Sequence, residues 1–260
     1  MPFAHTHGIR YYTFDLFPRE VTQAVLTRQG GVSPQPWASL NVGGTVGDEV
    51  QRVRENRYRS FAALGRRIDS LYDVWQVHSA QAVIADAPRD PRDPLLQADA
   101  IFTDKPEVTL YMRFADCVPI LFCDPRKGVV GLAHAGWLGT VRGMTAAAVA
   151  KMRAHYGSQP ENILAAIGPA IGVDHYEVGP DVIAQVQSSF GPEAERLIET
   201  RNGKTYLDLW SANFMQLQKS GVEKIEVAGL CTACHLDDWF SHRAERGKTG
   251  RFGALIGLQP

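Results

Sequence analysis

VTLYMRFADCVPILFCDPRKGVVGLAHA, residues 108–135, decides the fold class. It contains three apolar runs, VTLYMRF, VPILFCD and GVVGLAHA, each of strand length, rich in β-branched and aromatic residues and separated by Asp, Pro or Gly. LYDVWQVH and AVIADA, upstream, have the same character, so residues 71–135 are expected to supply most of a sheet. Between them and the quoted stretch, the loop-rich DAPRDPRDPLLQ reads as an excursion between strands. Further out, VTQAVLTR reads as a strand. DEVQRVRENRYRSFAALG reads as a helix with Asp48 as cap, Val50, Val53, Phe61 and Leu64 on its apolar side and Gly65 as stop. In LGTVRGMTAAAVAKMRAHYG, Leu138, Val141, Met144, Ala148, Met152 and Tyr156 share one helical face and Gly157 ends it. NILAAIG, KIEVAGL and GALIGL complete the strands, and PDVIAQVQSSF and DLWSANFMQLQKSG the helices. This order predicts an α/β (α+β) fold, a mixed β-sheet in layers flanked by helices, without regular doubly wound order. No repeat or long linker divides the chain, so residues 1–260 read as a single domain.

With 45% hydrophobic and 21% charged residues the chain can bury a substantial core, which excludes disorder as its dominant state. Lys+Arg 27 against Asp+Glu 28 leaves a net charge of -1, so no basic field favours nucleic acid or an acidic membrane surface. The first twenty residues lack a basic flank followed by an apolar core, and no run of about 18 apolar residues occurs, so the expected location is the cytoplasm. The four cysteines are expected to stay thiols there, as core residues or metal ligands.

His78, Cys117 and His134 carry the strongest chemical signal, because each falls where a predicted strand gives way to a turn and strand-end side chains can converge. Two imidazoles and a thiolate would give zinc three tetrahedral ligands and leave the fourth position open; the other reading is a buried thiol beside two hydrogen-bonded histidines. Asp116 could orient a ligand, take a proton, or simply cap a turn. Cys123, inside an apolar run, reads as core. CTACH, residues 231–235, matches the haem-attachment pattern, yet the chain shows no export signal; a redox pair or second metal site would need partners the sequence does not identify, leaving two thiols at a strand end. The paired glycines after Arg28 in TRQGGVS suit an anion beside a guanidinium. FSHRAERGKTGRFG adds Arg243, Arg246, Lys248 and Arg251 in a glycine-punctuated loop, whereas the arginines of RVRENRYR read as a solvated helix face. Gly247-Lys248-Thr249 lacks the earlier glycine of a phosphate loop, and no serine-hydrolase elbow is present. His5-Thr6-His7-Gly8 echoes one piece of a copper-oxidase pattern, but 8 scattered histidines fall short of the about ten that a trinuclear plus a mononuclear site require.

TRQGGVS, SLNVG, WQVHS, ADAIFTD, ADCVPILFCD, HAGWLGT, IGPAIG, CTAC and TGRFGALIGL, in this order over nearly the whole chain, resemble the laccase-domain or YfiH-like family. The resemblance implies one α/β domain related to toxin-type cysteine hydrolases and a zinc site on His78, Cys117 and His134, with copper less favoured. It also implies purine nucleoside phosphorolysis on adenosine, inosine, guanosine and methylthioadenosine, with adenosine deamination as a second activity and a link to peptidoglycan-precursor editing in bacterial relatives. Three positions depart from the family pattern: Leu138 stands for an arginine, Phe114 for a small polar residue and His242 for a tyrosine; Arg142 could compensate for Leu138 if residues 138–142 are helical. On this reading Arg28 and Arg251 meet phosphate, Asn41 meets ribose or base, and Asp116 moves protons at a site whose zinc activates phosphate, purine or water. The partners are then purine nucleosides and phosphate, with monomer or homodimer left open. Two rivals remain: a cysteine hydrolase with Cys117 as nucleophile and His134 as base, acting on cell-wall precursors, and a non-catalytic zinc and nucleoside binder.

Overall fold

Two six-stranded sheets stack face to face in the chain, of which the computed structural model describes residues 3–259. In spatial order the first is β1 (Phe3–Thr6), β2 (Ile9–Tyr12), β3 (Val21–Leu26), β14 (Phe252–Leu258), β7 (Thr109–Phe114) and β4 (Leu71–Tyr72). The second is β13 (Lys224–Val227), β10 (Leu164–Ile167), β8 (Val118–Asp124), β9 (Val129–Ala135), β6 (Ala100–Thr103) and β5 (Ala82–Ile84). Pairing is antiparallel except for β4 with β7, β5 with β6 and β10 with β13. A separate hairpin joins β11 (Ile198–Arg201) to β12 (Lys204–Leu207). Helix α1 (Val50–Ala63) covers the first sheet through Phe61, packed with Ile9, Leu26, Tyr111 and Leu255. On the outer face of the second lie α2 (Trp137–Val141), α3 (Met144–Tyr156), α4 (Pro180–Phe190) and α5 (Leu209–Lys219). The mixed α/β layering read from the sequence is therefore the observed one. No described helix is long and apolar enough to cross a membrane.

The period of two in β8 and β9 sorts their residues between layers. Ile120, Phe122, Val129 and Ala133 face the helices; Leu121, Cys123, Val130 and Leu132 face the first sheet, against Leu110, Met112, Ala254 and Ile256. Both faces are covered, which is why these strands read as continuous apolar runs rather than alternating ones. The same parity carries Cys117 and His134, at adjoining ends of β8 and β9, onto the face between the sheets.

Three local expectations change. Glu49 is the residue preceding α1 and makes no side-chain cap; the Asp48 carboxylate is engaged instead by Ser33 and Asn41. The helix expected after His134 is two helices, because Gly143 at φ 78° adopts a left-handed conformation that ends one and starts the next. Gly157, at φ 68°, does end α3 as read. LYDVWQVH yields only β4 and one bridge at Trp75, since the backbone N–H groups of residues 77–79 turn to the Asp99 carboxylate rather than to a neighbouring strand. The first two strands and the β11–β12 hairpin had no reading in the sequence; they are short, and their residues are largely part-exposed.

At the centre of the second sheet Gly131 faces Phe102 across the β6–β9 ladder, and a Cβ at this glycine would overlap the fully buried ring. Gly131→Ala is expected to destabilise the protein by ~1–3 kcal/mol through overpacking. Urea unfolding should show a lower midpoint at unchanged slope.

Candidate metal centre and arginine-lined cavity

Three elements deliver the donor cluster. His134 is the next-to-last residue of β9, Cys117 immediately precedes β8, and His78 sits in the turn after Trp75. Their ligating atoms all lie within 4.8 Å of one another, with Cys117 Sγ 3.8 Å from His78 Nε2 and the two imidazole centroids 4.9 Å apart. One donor, His78 at φ 57°, and the residue before another, Asp116 at φ 80°, adopt left-handed backbone conformations unusual for side-chain-bearing residues. Gly136 leaves room for the cluster: a Cβ there would sit 2.8 Å from Cys117 Sγ and 2.9 Å from His78 Cδ2.

One carboxylate organises the set. Asp99, fully buried, accepts from His134 Nδ1 at 2.9 Å, from the backbone N–H groups of Val77, His78 and Ser79, and from the Ser79 hydroxyl at 2.8 Å. Burial pushes its pKa up, but the bonds from His134 and Ser79 outweigh that and hold it at about 2. With Nδ1 held by Asp99, the remaining donor atom of His134 is Nε2. Burial also raises the Cys117 thiol, yet His134 and His78 bring it down to about 6. His134 moves the other way: burial lowers it, and Cys117 and Asp99 raise it to about 9. The pair favours thiolate and imidazolium, the charge state in which a metal cation can replace the proton.

The cluster opens into a cavity of about 580 Å³. Four arginines line it, Arg57, Arg89, Arg113 and Arg251, against one aspartate, Asp73. Asp73, 1% exposed, takes Arg89 Nε at 2.8 Å, Arg113 NH1 at 3.4 Å and Arg57 NH1 at 3.9 Å, so cationic charge is left over. Burial lowers the pKa of Arg113 and of Arg251. Each is thus a partly desolvated cation, and a bound anion would restore stabilisation that the missing water no longer supplies. Trp75 stands on the same wall, 46% exposed.

The sequence-derived site residues divide. His78, Cys117, His134 and Arg251 line the cavity, as does His242. Arg28 does not; it borders a separate groove, where its guanidinium meets Glu245 at 3.1 Å and the carbonyls of Ala38, Leu236 and Trp239. That saturated bonding, outside the cavity, does not fit the expected role of meeting phosphate. Asn41 is fully buried, its amide spent on Asp48 and on the backbone of Gly43 and Arg251, so it shapes the cavity wall without lining it. Asp116 is also outside the lining: its oxygens accept from the Thr232 hydroxyl at 2.7 Å and the Arg243 N–H at 2.6 Å. Arg142 is preceded by helix, but its guanidinium goes to the His78 carbonyl at 3.0 Å.

Sequence reading missed Asp99, Asp73, Arg57, Arg89 and Arg113. Arg57 is a correction: among the arginines assigned to a solvated face, it turns inward and donates to the Val42 carbonyl at 2.9 Å. The available signal for Asp99 was a lone carboxylate heading the apolar run ADAIF. The available signal for Arg113 was a cation inside the strand run TLYMRF.

The chain is similar to known proteins over nearly its whole length. A curated relative from Deinococcus radiodurans, named "Purine nucleoside phosphorylase", is 42% identical over 238 residues, covering 92% of this chain and 89% of the relative. Another from Geobacillus stearothermophilus, named "Purine nucleoside phosphorylase YlmD", is 40% identical over 240 residues, covering 89% and 88%. The crystal structure of YlmD from Geobacillus stearothermophilus superposes with a TM-score of 0.93 at 34% identity, over 100% of this chain and 99% of that one. The family described as multi-copper polyphenol oxidoreductase laccase matches residues 22–259, and with relatives of this similarity spanning about nine-tenths of its length, the chain belongs to that family.

Proposed function

We propose that this chain, acting as one domain, is a zinc-dependent purine nucleoside phosphorylase. It converts adenosine, inosine, guanosine or methylthioadenosine, with phosphate, into the free base and the corresponding ribose 1-phosphate, and deaminates adenosine as a second activity. The observation that carries the reading is a three-donor cluster, His78, Cys117 and His134, facing a cavity with four arginines and one aspartate. The name shared by the curated relatives supports the enzyme class. Two nitrogens and one sulfur suit zinc with one position open to substrate. A multicopper set does not fit: the donor clusters among the described residues contain three histidines, His78, His134 and His175, against about ten required.

When bound, zinc supplies Lewis acidity that polarises substrate oxygens and makes water a nucleophile near neutral pH. The chain's own residues supply binding and orientation. Arg57, Arg113 and Arg251 hold phosphate and neutralise charge as it reaches the anomeric carbon. Trp75 offers the purine a flat face. Phe114, its ring centroid 5.4 Å from that of His134 and stacked on Phe252, keeps water from that side of the cluster. Asp99 fixes the His134 tautomer. Asp116, with both oxygens already accepting, is a positioning residue, and Arg28 is structural. The order Cys117–His134–Asp99 also suits a thiol hydrolase, which is the second reading; the third donor, His78, is what such a nucleophile would not need. A trapped acyl group on Cys117 would favour that alternative.

Inosine with phosphate should give hypoxanthine and ribose 1-phosphate on chromatography, and no base without phosphate. Free ribose in place of the sugar phosphate would make the enzyme a nucleoside hydrolase. Adenosine should still release ammonia without phosphate, and lose that branch when metal is stripped.

Arg57→Ala should raise the KM for phosphate at saturating inosine by about 10–100-fold, as loss of a charged hydrogen bond of ~1.5–3 kcal/mol requires. Arg28→Ala should leave that KM in place and lower the unfolding midpoint. An unchanged phosphate dependence in Arg57→Ala would remove the cavity arginines from the phosphate site.

Asp99→Asn keeps the side chain's size and removes its charge. Zinc affinity at the His78–Cys117–His134 cluster should fall about 10–100-fold, the usual loss when a ligand's supporting carboxylate is replaced. Competition with a chromophoric chelator measures it.

A further inference from the structure

The two thiols of residues 231–235 find in the fold the partners that the sequence did not identify. Asp174 and His175, in the turn after β10, bring a carboxylate and an imidazole to Cys231 and Cys234, and one donor atom from each of the four lies within 4.8 Å of the others. We propose that these four residues form a second zinc site, closed and structural, distinct from the His78–Cys117–His134 cluster.

Three of the six edges match those of a filled tetrahedron, a fourth, between Asp174 and His175, is shorter, and all lie within 4.8 Å. Ligand lengths of about 2.3 Å to sulfur and about 2.0–2.1 Å to nitrogen or oxygen give edges of about 3.6 Å between sulfur and nitrogen or oxygen, and about 3.4 Å between nitrogen and oxygen. His175 Nδ1 lies 3.7 Å from Cys231 Sγ and 3.5 Å from Cys234 Sγ. Asp174 Oδ2 lies 3.4 Å from Cys234 Sγ and 3.0 Å from His175 Nδ1. A second observation concerns the sulfur itself. The Gly172 N–H donates to Cys231 Sγ at 3.2 Å, a bond that favours thiolate, and a Cβ at Gly172 would meet Asp174 Oδ1 at 2.6 Å and Cys231 Sγ at 3.3 Å. Only glycine leaves the cage its space.

Two thiolates, an imidazole and a carboxylate suit zinc, and four protein donors leave no position for substrate. Zinc entering would displace the two thiol protons to solvent, without any redox change. Cys231 is buried while Asp174, His175 and Cys234 are exposed, so the metal can reach the site from the surface. The site joins two loops that already touch, Ala170 bridging to Cys231 and the Thr232 N–H donating to the Ala170 carbonyl. Thr232, between the two cysteines, also holds Asp116, and the Ile171 N–H donates to the Asp116 carbonyl. Zinc here would therefore clamp the loops that set the left-handed residue just before Cys117.

Elemental analysis under reducing conditions tests the proposal. The native protein is expected to carry about two zinc per chain. Cys117→Ser with His134→Ala should carry about one, which reports this site alone, so that failure of the catalytic cluster and failure of this site are told apart. Cobalt added to that variant should give sulfur-to-cobalt charge-transfer bands and the visible bands of a tetrahedral ion. Cys231→Ser with Cys234→Ser should abolish those bands in the same background. His175→Ala, on an exposed turn, should weaken them and keeps the test readable if the cysteine pair cannot be replaced without misfolding. Two results would overturn the site: no zinc and no cobalt bands in the Cys117→Ser, His134→Ala variant, or a Cys231–Cys234 disulfide, seen as a mass about 2 lower, whose reduction creates no metal affinity.

Discussion

A single buried carboxylate, that of Asp99, holds the site together. Taking a charge out of water is costly unless hydrogen bonds replace the lost hydration, and here five converge on one group. Three come from the backbone of residues 77–79 and stabilise a turn in which His78 has positive φ. Another comes from the His134 ring and fixes which nitrogen faces the cavity. The backbone joins in, because the Asp99 carbonyl accepts the His134 N–H at 2.8 Å. One anion thus positions two donors from different elements, and the third, Cys117, is brought beside them by strand pairing.

Division of labour between the sheets explains the electrostatics. Cys117 and His134 belong to adjoining strands of the second sheet, while Arg113 on β7 and Arg251 just before β14 belong to the first. The Phe252–Phe114 and Gly253–Arg113 register holds the ends of those first-sheet strands together. Arg57 arrives from α1, the layer outside that sheet. Two of the three donors for a soft or borderline cation therefore come from one sheet and two of the four arginines for an anion from the other, with Asp73 keeping the arginines from repelling one another apart.

Several residues that look functional in the sequence serve as scaffold behind the cavity. Arg28 ties its loop to Glu245 and to the carbonyls near Trp239, with its guanidinium also stacked over Phe240. Asn41, Asp48, Ser33 and Asn56 form a connected buried network, with Asn56 Nδ2 2.7 Å from the Asn41 carbonyl. A fully partnered network of this kind gives the Gly43 loop and Arg251 one arrangement rather than several.

How much was legible follows from the range of each signal. Hydrophobic period and length are local, so they gave the strands from Thr109 to Ala135, the helices α1, α4 and α5, and the mixed α/β class. Glycine's freedom is local too, and Gly65 and Gly157 mark helix ends; Gly143 was overlooked because the apolar face runs past it. Strand ends also hinted at His78, Cys117 and His134, since parity and position depend only on neighbours. The partners of these groups were not legible. Asp99 meets His134, Asp73 meets Arg113, and His175 meets Cys231 only because strand order and loop packing bring distant segments together. Sequence alone determined which residues could be buried and which carried chemistry; the tertiary structure decided which of them are partnered, because burial, electrostatics and ligand geometry act through distance in space rather than along the chain.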